Sequence, residues 1–216
     1  MMTLAEIGDR AGRDRLTVLG AFHPSPADNA PDGTGTLVLL GPDEPDFWPL
    51  FTASEEYRDG ADDPLDRWSL RVITALAEEI DATPLFPFGG PPWQPFLSWA
   101  VRAGTAWRSP VTLLVHGKAG LWVSWRGALA LPDVLDLPEP PAAPCPPCAK
   151  PCLTACPAGA LTGAGYDIAA CHAWLDTEPG QDCMTNGCAV RRACPAGADF
   201  GRRPDQSAFH MRSFNT

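Results

Sequence analysis

All eight cysteines of this 216-residue chain fall between Cys145 and Cys194. A thiol set this dense pairs as disulfides, closes tetrahedral zinc sites, or ligates iron–sulfur clusters. The first run is Cys145-Pro-Pro-Cys148-Ala-Lys-Pro-Cys152-Leu-Thr-Ala-Cys156-Pro157, a C-x2-C-x3-C-x3-C-P pattern. Cys171, Cys183, Cys188 and Cys194 follow. The segment Cys156-Pro-Ala-Gly-Ala160 recurs letter for letter as Cys194-Pro-Ala-Gly-Ala198. Each half of the region therefore holds three cysteines and then a fourth that precedes proline.

That arrangement has a physical reading. Bacterial [4Fe–4S] ligation uses C-x2-C-x2-C-x3-C-P, with the fourth cysteine serving the other cluster of a two-cluster module. This chain carries one more residue between its second and third cysteines. Three closely spaced thiolates wrap one cube, and the proline after the fourth is expected to start a helix leading away. The duplication then predicts a crossed assignment: Cys145, Cys148, Cys152 and Cys194 on one cluster, and Cys156, Cys171, Cys183 and Cys188 on the other. Chain proximity alone pairs Cys194 with Cys183 and Cys188 instead. Disulfides require an oxidising compartment. Zinc sites favour paired C-x2-C knuckles, and only Cys145/Cys148 makes one. Loss of one cluster is a further alternative, because the spacing from Cys183 to Cys194 is irregular. Eight thiolates fill two clusters, so His172 is read as a neighbour or surface residue rather than a ligand. Lys150, Arg191 and Arg192 are either solvated charges or electrostatic support that raises cluster potentials.

The elements that must carry this region are read from periodicity and punctuation. Residues 3–19 suggest a short polar helix and then a strand at Leu16–Leu19. Thr36–Leu40 reads as a buried strand closed by Gly41-Pro42. Asp63 and Pro64 mark a helix start. Leu65, Trp68, Val72, Ile73, Leu76 and Ile80 then recur by threes and fours. A second helix begins near Pro95, with Phe96, Trp99 and Ala100 on one side and Gly104 as its stop. Val111–His116 and Leu121–Trp125 read as two strands joined by Gly117-Lys118-Ala119-Gly120. His23 and His116 are read as structural. Seven of the eight tryptophans precede the cysteines; they are core, or they line a ring-shaped cofactor.

Composition divides the chain. Residues 145–216 carry six basic and six acidic side chains, so the net charge of −10 belongs wholly to residues 1–144. An acidic surface disfavours nucleic acid. No apolar run is long enough to span a bilayer, and the N-terminus lacks a secretory signal; a cytoplasmic location is expected. The resulting organisation is a cysteine-free acidic α/β domain (1–133), a Pro-rich linker (134–144), a dicluster domain (145–200) and a C-terminal tail (201–216).

The order Ala100-Val-Arg-Ala-Gly-Thr-Ala-Trp107, Val111-Thr-Leu-Leu-Val115, Leu121-Trp-Val-Ser-Trp125 and Leu129-Ala-Leu131 leads into the cysteines. Tyr166-Asp167-Ile168 precedes the lone Cys171, and Gly187-Cys188 opens the final run. Over about residues 90–200 this resembles epoxyqueuosine reductases and, more distantly, reductive dehalogenases. The resemblance implies an α+β chain: a nitroreductase-like, cobalamin-binding domain, here shortened, before a two-[4Fe–4S] ferredoxin-like domain that feeds electrons to cobalt. The family's acid, within an Asp-Thr-Ala-Pro stretch, is replaced by Phe88-Gly-Gly-Pro-Pro-Trp93, with no proton donor. No domain to grip tRNA follows residue 200. No catalytic residue is therefore assigned. The sequence supports an iron–sulfur electron carrier with a redox partner protein or a small-molecule substrate. The alternatives are a corrinoid-dependent reductase and a non-catalytic iron–sulfur structural or sensor protein.

Overall fold

The computed structural model describes residues 2–215. Its strands are β1 (Leu16–Phe22), β2 (Thr36–Pro42), β3 (Thr83–Leu85), β4 (Ala106–Arg108), β5 (Leu114–His116), β6 (Gly127–Leu131), β7 (Leu161–Thr162) and β8 (Gly165–Tyr166). Its helices are α1 (Leu4–Gly12), α2 (Phe47–Thr52), α3 (Glu55–Arg58), α4 (Pro64–Glu79), α5 (Phe96–Arg102), α6 (Ile168–Leu175), α7 (Gln181–Asn186), α8 (Ala189–Arg192) and α9 (Pro204–Phe214). The class is mixed α+β. The chain divides into two compact units: one runs up to Thr105 and includes Ser124–Pro140, the other joins Ala106–Val123 to the chain from Pro141 onward. None of the described helices is long and apolar enough to cross a membrane.

The first unit is built on a four-stranded antiparallel sheet of order β1-β2-β6-β3. Leu37, Val38, Leu39 and Leu40 of β2 and Ala128 and Leu129 of β6 are fully buried. Such continuous apolar runs suit central strands with both faces covered. The apolar stripe of α4 packs on β3 and β6. Its threes-and-fours spacing thus becomes a helix face on a sheet. At its start the structure departs from the expected cap: Asp63 occupies the N-cap position in the left-handed region, without a side-chain cap bond. The Asp63 carbonyl accepts from the Asp66 and Arg67 amides instead. α1 is closed by a reciprocal capping box between Thr3 and Glu6. α5 ends with Ala103 as C-cap and Gly104 at φ +69°, the left-handed stop that Gly provides.

Two tryptophans of this unit are fully buried, Trp68 and Trp99. Trp68 meets Phe47 and Phe51 edge-on, and Trp48 and Tyr57 complete that aromatic group. Trp99 Nε1 donates to the Asp28 carbonyl at 2.7 Å. These rings are core. Trp93, in contrast, is 65% exposed.

The linker is free of helix and strand, but its first half is pinned to the first unit. Leu135 is buried, its amide donates to Thr36 Oγ1 at 2.9 Å, and its carbonyl lies 2.9 Å from His23 Nε2.

Two expectations are corrected in the second unit. The sequence puts residues 106–123 in the acidic domain and predicts a hairpin of Val111–His116 and Leu121–Trp125. The structure instead groups them with the cysteines, and β4 pairs with β5. Only a single bridge, His116 to Gly120, survives of the expected pairing, and Leu121–Trp125 is not a strand. The reason is local. His116 Nδ1 accepts from the Lys118 and Ala119 amides at 3.1 and 3.2 Å, which closes the turn early and reverses the chain. The C-terminal tail is also not a tail. Residues 204–214 form α9, whose Gln206 and Ser207 are buried against the rest of the unit.

Candidate metal centre

Local turns set each thiol. The Cys148 amide donates to the Cys145 carbonyl, and Lys150 adopts φ +57° so that its amide reaches Cys148 Sγ at 3.2 Å. A one-turn 3-10 helix, Pro151–Leu153, then carries buried Cys152. The Leu161 amide donates to Cys156 Sγ at 3.4 Å. Asp167 caps α6 by accepting from the Ala170 amide at 2.9 Å, which places Cys171 in the first turn. Tyr166, one residue before that cap, donates its hydroxyl to Cys171 Sγ at 3.4 Å. Cys183 lies buried in α7, and Cys188 stands at the N-cap position of α8. Amide and hydroxyl donors aimed at sulfur stabilise the thiolate and tune whatever it binds.

Neither Cys-Pro-Ala-Gly-Ala segment launches the helix expected of it. After Cys156 the chain makes a turn, with the Gly159 amide on the Cys156 carbonyl at 3.1 Å. After Cys194 it makes a 3-10 turn, Pro195–Gly197, with the Gly197 amide on the Cys194 carbonyl at 3.2 Å. Proline's fixed φ starts each turn, and after Cys156 the chain turns off at Gly159, whose φ of +63° is one that glycine adopts without strain.

All eight thiols are unbridged. Their electrostatic neighbours fall into two sets. Burial raises Cys145, and Cys194, Cys148 and Cys152 add to the rise. Burial likewise raises Cys152, helped by Cys194 and Cys148. Burial raises Cys171, with Cys188, Cys156 and Cys183 as the thiols acting on it. Cys183 is raised first by burial, with Cys188 as its neighbouring thiol. The structure thus brings Cys194 to Cys145 and Cys152, although Cys188 is far nearer in sequence. Among the described residues no three or more His, Cys, Asp or Glu side chains converge tightly enough for a single metal ion. A cubane carries its thiolates on the outer corners of a four-iron cube. They stand farther apart than donors around one zinc, whose bonds to sulfur are about 2.3 Å.

Around the first quartet lies an apolar shell, and three of its residues, Val111, Val115 and Leu121, fall within the 1–133 stretch expected to form the acidic domain. Val111, Val115, Leu121, Leu161 and Val190 pack with Cys152 and Cys194, all buried. An apolar surround of this kind lowers the local dielectric and keeps water from the sulfurs. Gly120 (φ +56°) and Gly197 bring two backbones together here. A Cβ on Gly120 would lie 2.7 Å from Gly197 Cα, and one on Gly197 would lie 2.7 Å from the Ala119 carbonyl oxygen. The signal in the sequence was Gly120 itself, read there as one residue of a hairpin loop.

The charged residues separate. Lys150 is exposed. Arg192 pairs with Asp182 and donates to the Gly187 carbonyl at 3.1 Å, clamping the Cys183–Cys188 loop. Arg191 turns inward and donates to the Leu121 carbonyl. His172 meets Phe214 of α9 edge-on at 4.6 Å, and its Nε2 is buried without a hydrogen-bond partner. Phe214 also stacks on Tyr166 at 6.2 Å, so α9 covers the Cys171 side of the unit.

Comparison with protein-family models, with curated protein sequences and with solved structures gives no match.

Proposed function

We propose that the second unit is a two-[4Fe–4S] electron-transfer module. The single observation that carries this reading is the sorting of eight unbridged thiols into two sets of four, with Cys194 crossing to the first. Cys145, Cys148, Cys152 and Cys194 would hold one cluster, and Cys156, Cys171, Cys183 and Cys188 the other. Each cluster would supply one-electron redox chemistry at neutral pH. The chain's own residues orient the thiolates by short turns, give them amide donors from Lys150 and Leu161, and exclude water with Val111, Val115, Leu121 and Val190. Two nearby clusters suit stepwise passage of electrons between a donor protein and an acceptor. On this reading the second unit would be a ferredoxin-like domain, and the first a shortened nitroreductase-like one, as the sequence resemblance implies.

Iron and acid-labile sulfide in protein purified without oxygen test the reading. About eight of each per chain is expected, with a brown colour that bleaches on reduction. Stoichiometric zinc without sulfide overturns it. Repeating the measurement with and without added cobalamin separates a carrier from a corrinoid-dependent reductase.

A further inference from the structure

Tyr166 ends β8 one residue before the cap of α6, and Cys171 follows in that helix. Three contacts fix this corner. Tyr166 pairs with Leu161 across the β7–β8 hairpin, the Asp167 amide donates to the Ala160 carbonyl at 2.8 Å, and the Asp167 side chain caps α6. The corner leaves the Tyr166 hydroxyl 3.4 Å from Cys171 Sγ. Among the described residues no other side chain donates to any of the eight sulfurs; the donors on Cys148 and Cys156 are the backbone amides of Lys150 and Leu161. The Tyr166 ring is 36% exposed, and a hydroxyl at the surface has water as an alternative partner. Phe214 of α9 stacks on that ring, the centroids 6.2 Å apart and the planes 14° apart. Phe214 is itself held in place. Its ring meets His172 edge-on, the Asn215 side-chain amide donates to Asp176 Oδ1 at 3.0 Å, and Gln206 and Ser207 bury the start of α9. α9 packs on α7, which carries Cys183, and a Cβ on Gly187, beside Cys188, would lie 2.8 Å from Ser207 Cβ.

We propose that the Tyr166 hydroxyl, held in place by Phe214, donates to the ligand sulfur of Cys171 and raises the reduction midpoint of the cluster that Cys171 holds. This rests on the iron–sulfur reading above, and not on which other thiols complete that cluster. A thiolate bound to iron carries no proton, so the phenol is the donor of the pair. Reduction adds one electron to the cluster and makes or breaks no bond. The added negative charge spreads onto the sulfurs. A hydroxyl aimed at one of them stabilises the reduced state more than the oxidised one. Phe214 acts through Tyr166: it is a positioning residue that keeps the phenol on the sulfur rather than in water.

The test is an EPR-monitored reductive titration of the anaerobic, cluster-loaded chain, with dithionite as electron donor. The cluster altered in Cys171→Ser identifies the midpoint to follow. Tyr166→Phe keeps the ring and its stacking and removes only the hydroxyl. In that variant the reduced-to-oxidised ratio of the followed cluster at fixed potential falls about threefold, about 28 mV at about 59 mV per tenfold for one electron, and the other midpoint stays put. Phe214→Ala lowers the same midpoint, by no more than Tyr166→Phe does. The double variant goes no lower than Tyr166→Phe, because Phe214 then has no hydroxyl to hold. Unchanged midpoints in Tyr166→Phe overturn this proposal alone. So do two midpoints that fall together, which mark a change in the whole unit. An additive double variant, or Phe214→Ala at the wild-type midpoint, overturns the part given to Phe214. If Tyr166→Phe assembles only one cluster, Phe214→Ala decides. A lowered midpoint supports the donor, and a wild-type midpoint or a missing cluster overturns it in favour of a structural role. Wild-type protein without iron and sulfide overturns the iron–sulfur reading, and this proposal with it.

Discussion

Cys194 follows Cys188 closely in the chain, yet its thiol acts on Cys145 and Cys152. Cys194 is buried in one apolar cluster with Cys152, and Cys145 packs against it. Cys194→Ser is therefore expected to change the anaerobic absorption and EPR spectra as Cys148→Ser does, and differently from Cys171→Ser. A Cys194→Ser spectrum matching Cys171→Ser would place the sulfur in the other quartet. The glycines make a second contrast at this scale. Gly120 abuts the backbone of Gly197, while Gly159, in the first copy of the repeat, has φ +63° and open space around it. Gly159→Ala meets only backbone strain, about 1–2 kcal/mol. Gly120→Ala meets that strain and also drives Gly197 off, so it should cost more stability in urea unfolding and lower iron uptake. Equal effects from the two variants would mean that the contact is unimportant.

Among the elements, α3 and α4 of the first unit are joined by Glu56 and Arg71, whose side chains meet in a two-pronged contact. The Arg71 hydrogen bond holds the Glu56 carboxyl at about 2, below its ordinary 4.5, against the opposing pull of burial. A depressed carboxylate stabilises the fold above its unfolded value and loses that contribution as pH falls toward its folded one. Arg71 is exposed, so the pair is worth no more than about 1 kcal/mol. Glu56→Gln should lower the urea midpoint at pH 7, and the gap from wild type should shrink between about pH 4.5 and 2. A gap independent of pH would assign the loss to packing. Within the sheet, β1 and β2 were legible as strands because apolar residues crowd both. β6 was not. Its Gly127-Ala-Leu-Ala-Leu131 is too short and too small-residued to stand out, and only pairing with β2 on one side and β3 on the other makes it central.

At the scale of the whole molecule, the chain passes between its two units at residues 105/106, 123/124 and 140/141. The cysteine region is not an independent C-terminal module. Val111, Val115 and Leu121 form part of the shell around Cys152 and Cys194. A fragment of residues 141–216 keeps Leu161 and Val190 but lacks Val111, Val115 and Leu121, and leaves apolar surface bare. It should fold poorly and retain little iron, while residues 106–216 should retain more. Circular dichroism and iron analysis of the two fragments check this. Equal loading would show that residues 106–123 are dispensable to the site.

The sequence alone determined what is local or repeated. Threes-and-fours spacing placed α4 and α5, apolar runs placed β1 and β2, and the duplicated Cys-Pro-Ala-Gly-Ala put eight thiols into two sets on paper. Those signals depend on residues within a turn or two of each other, or on identity between copies, and both can be read along a line. Tertiary structure decided the rest. It turned the chain at His116, where a side-chain nitrogen takes two amides, and it placed residues 106–123 in the cysteine unit. It closed residues 204–214 into α9 and laid Phe214 against Tyr166 and His172. It also separated two adjacent arginines that the sequence left equivalent, one paired with Asp182 at the surface and one turned inward to Leu121. Partners so distant in sequence carry no periodic mark, because a contact between them is set by how the elements pack.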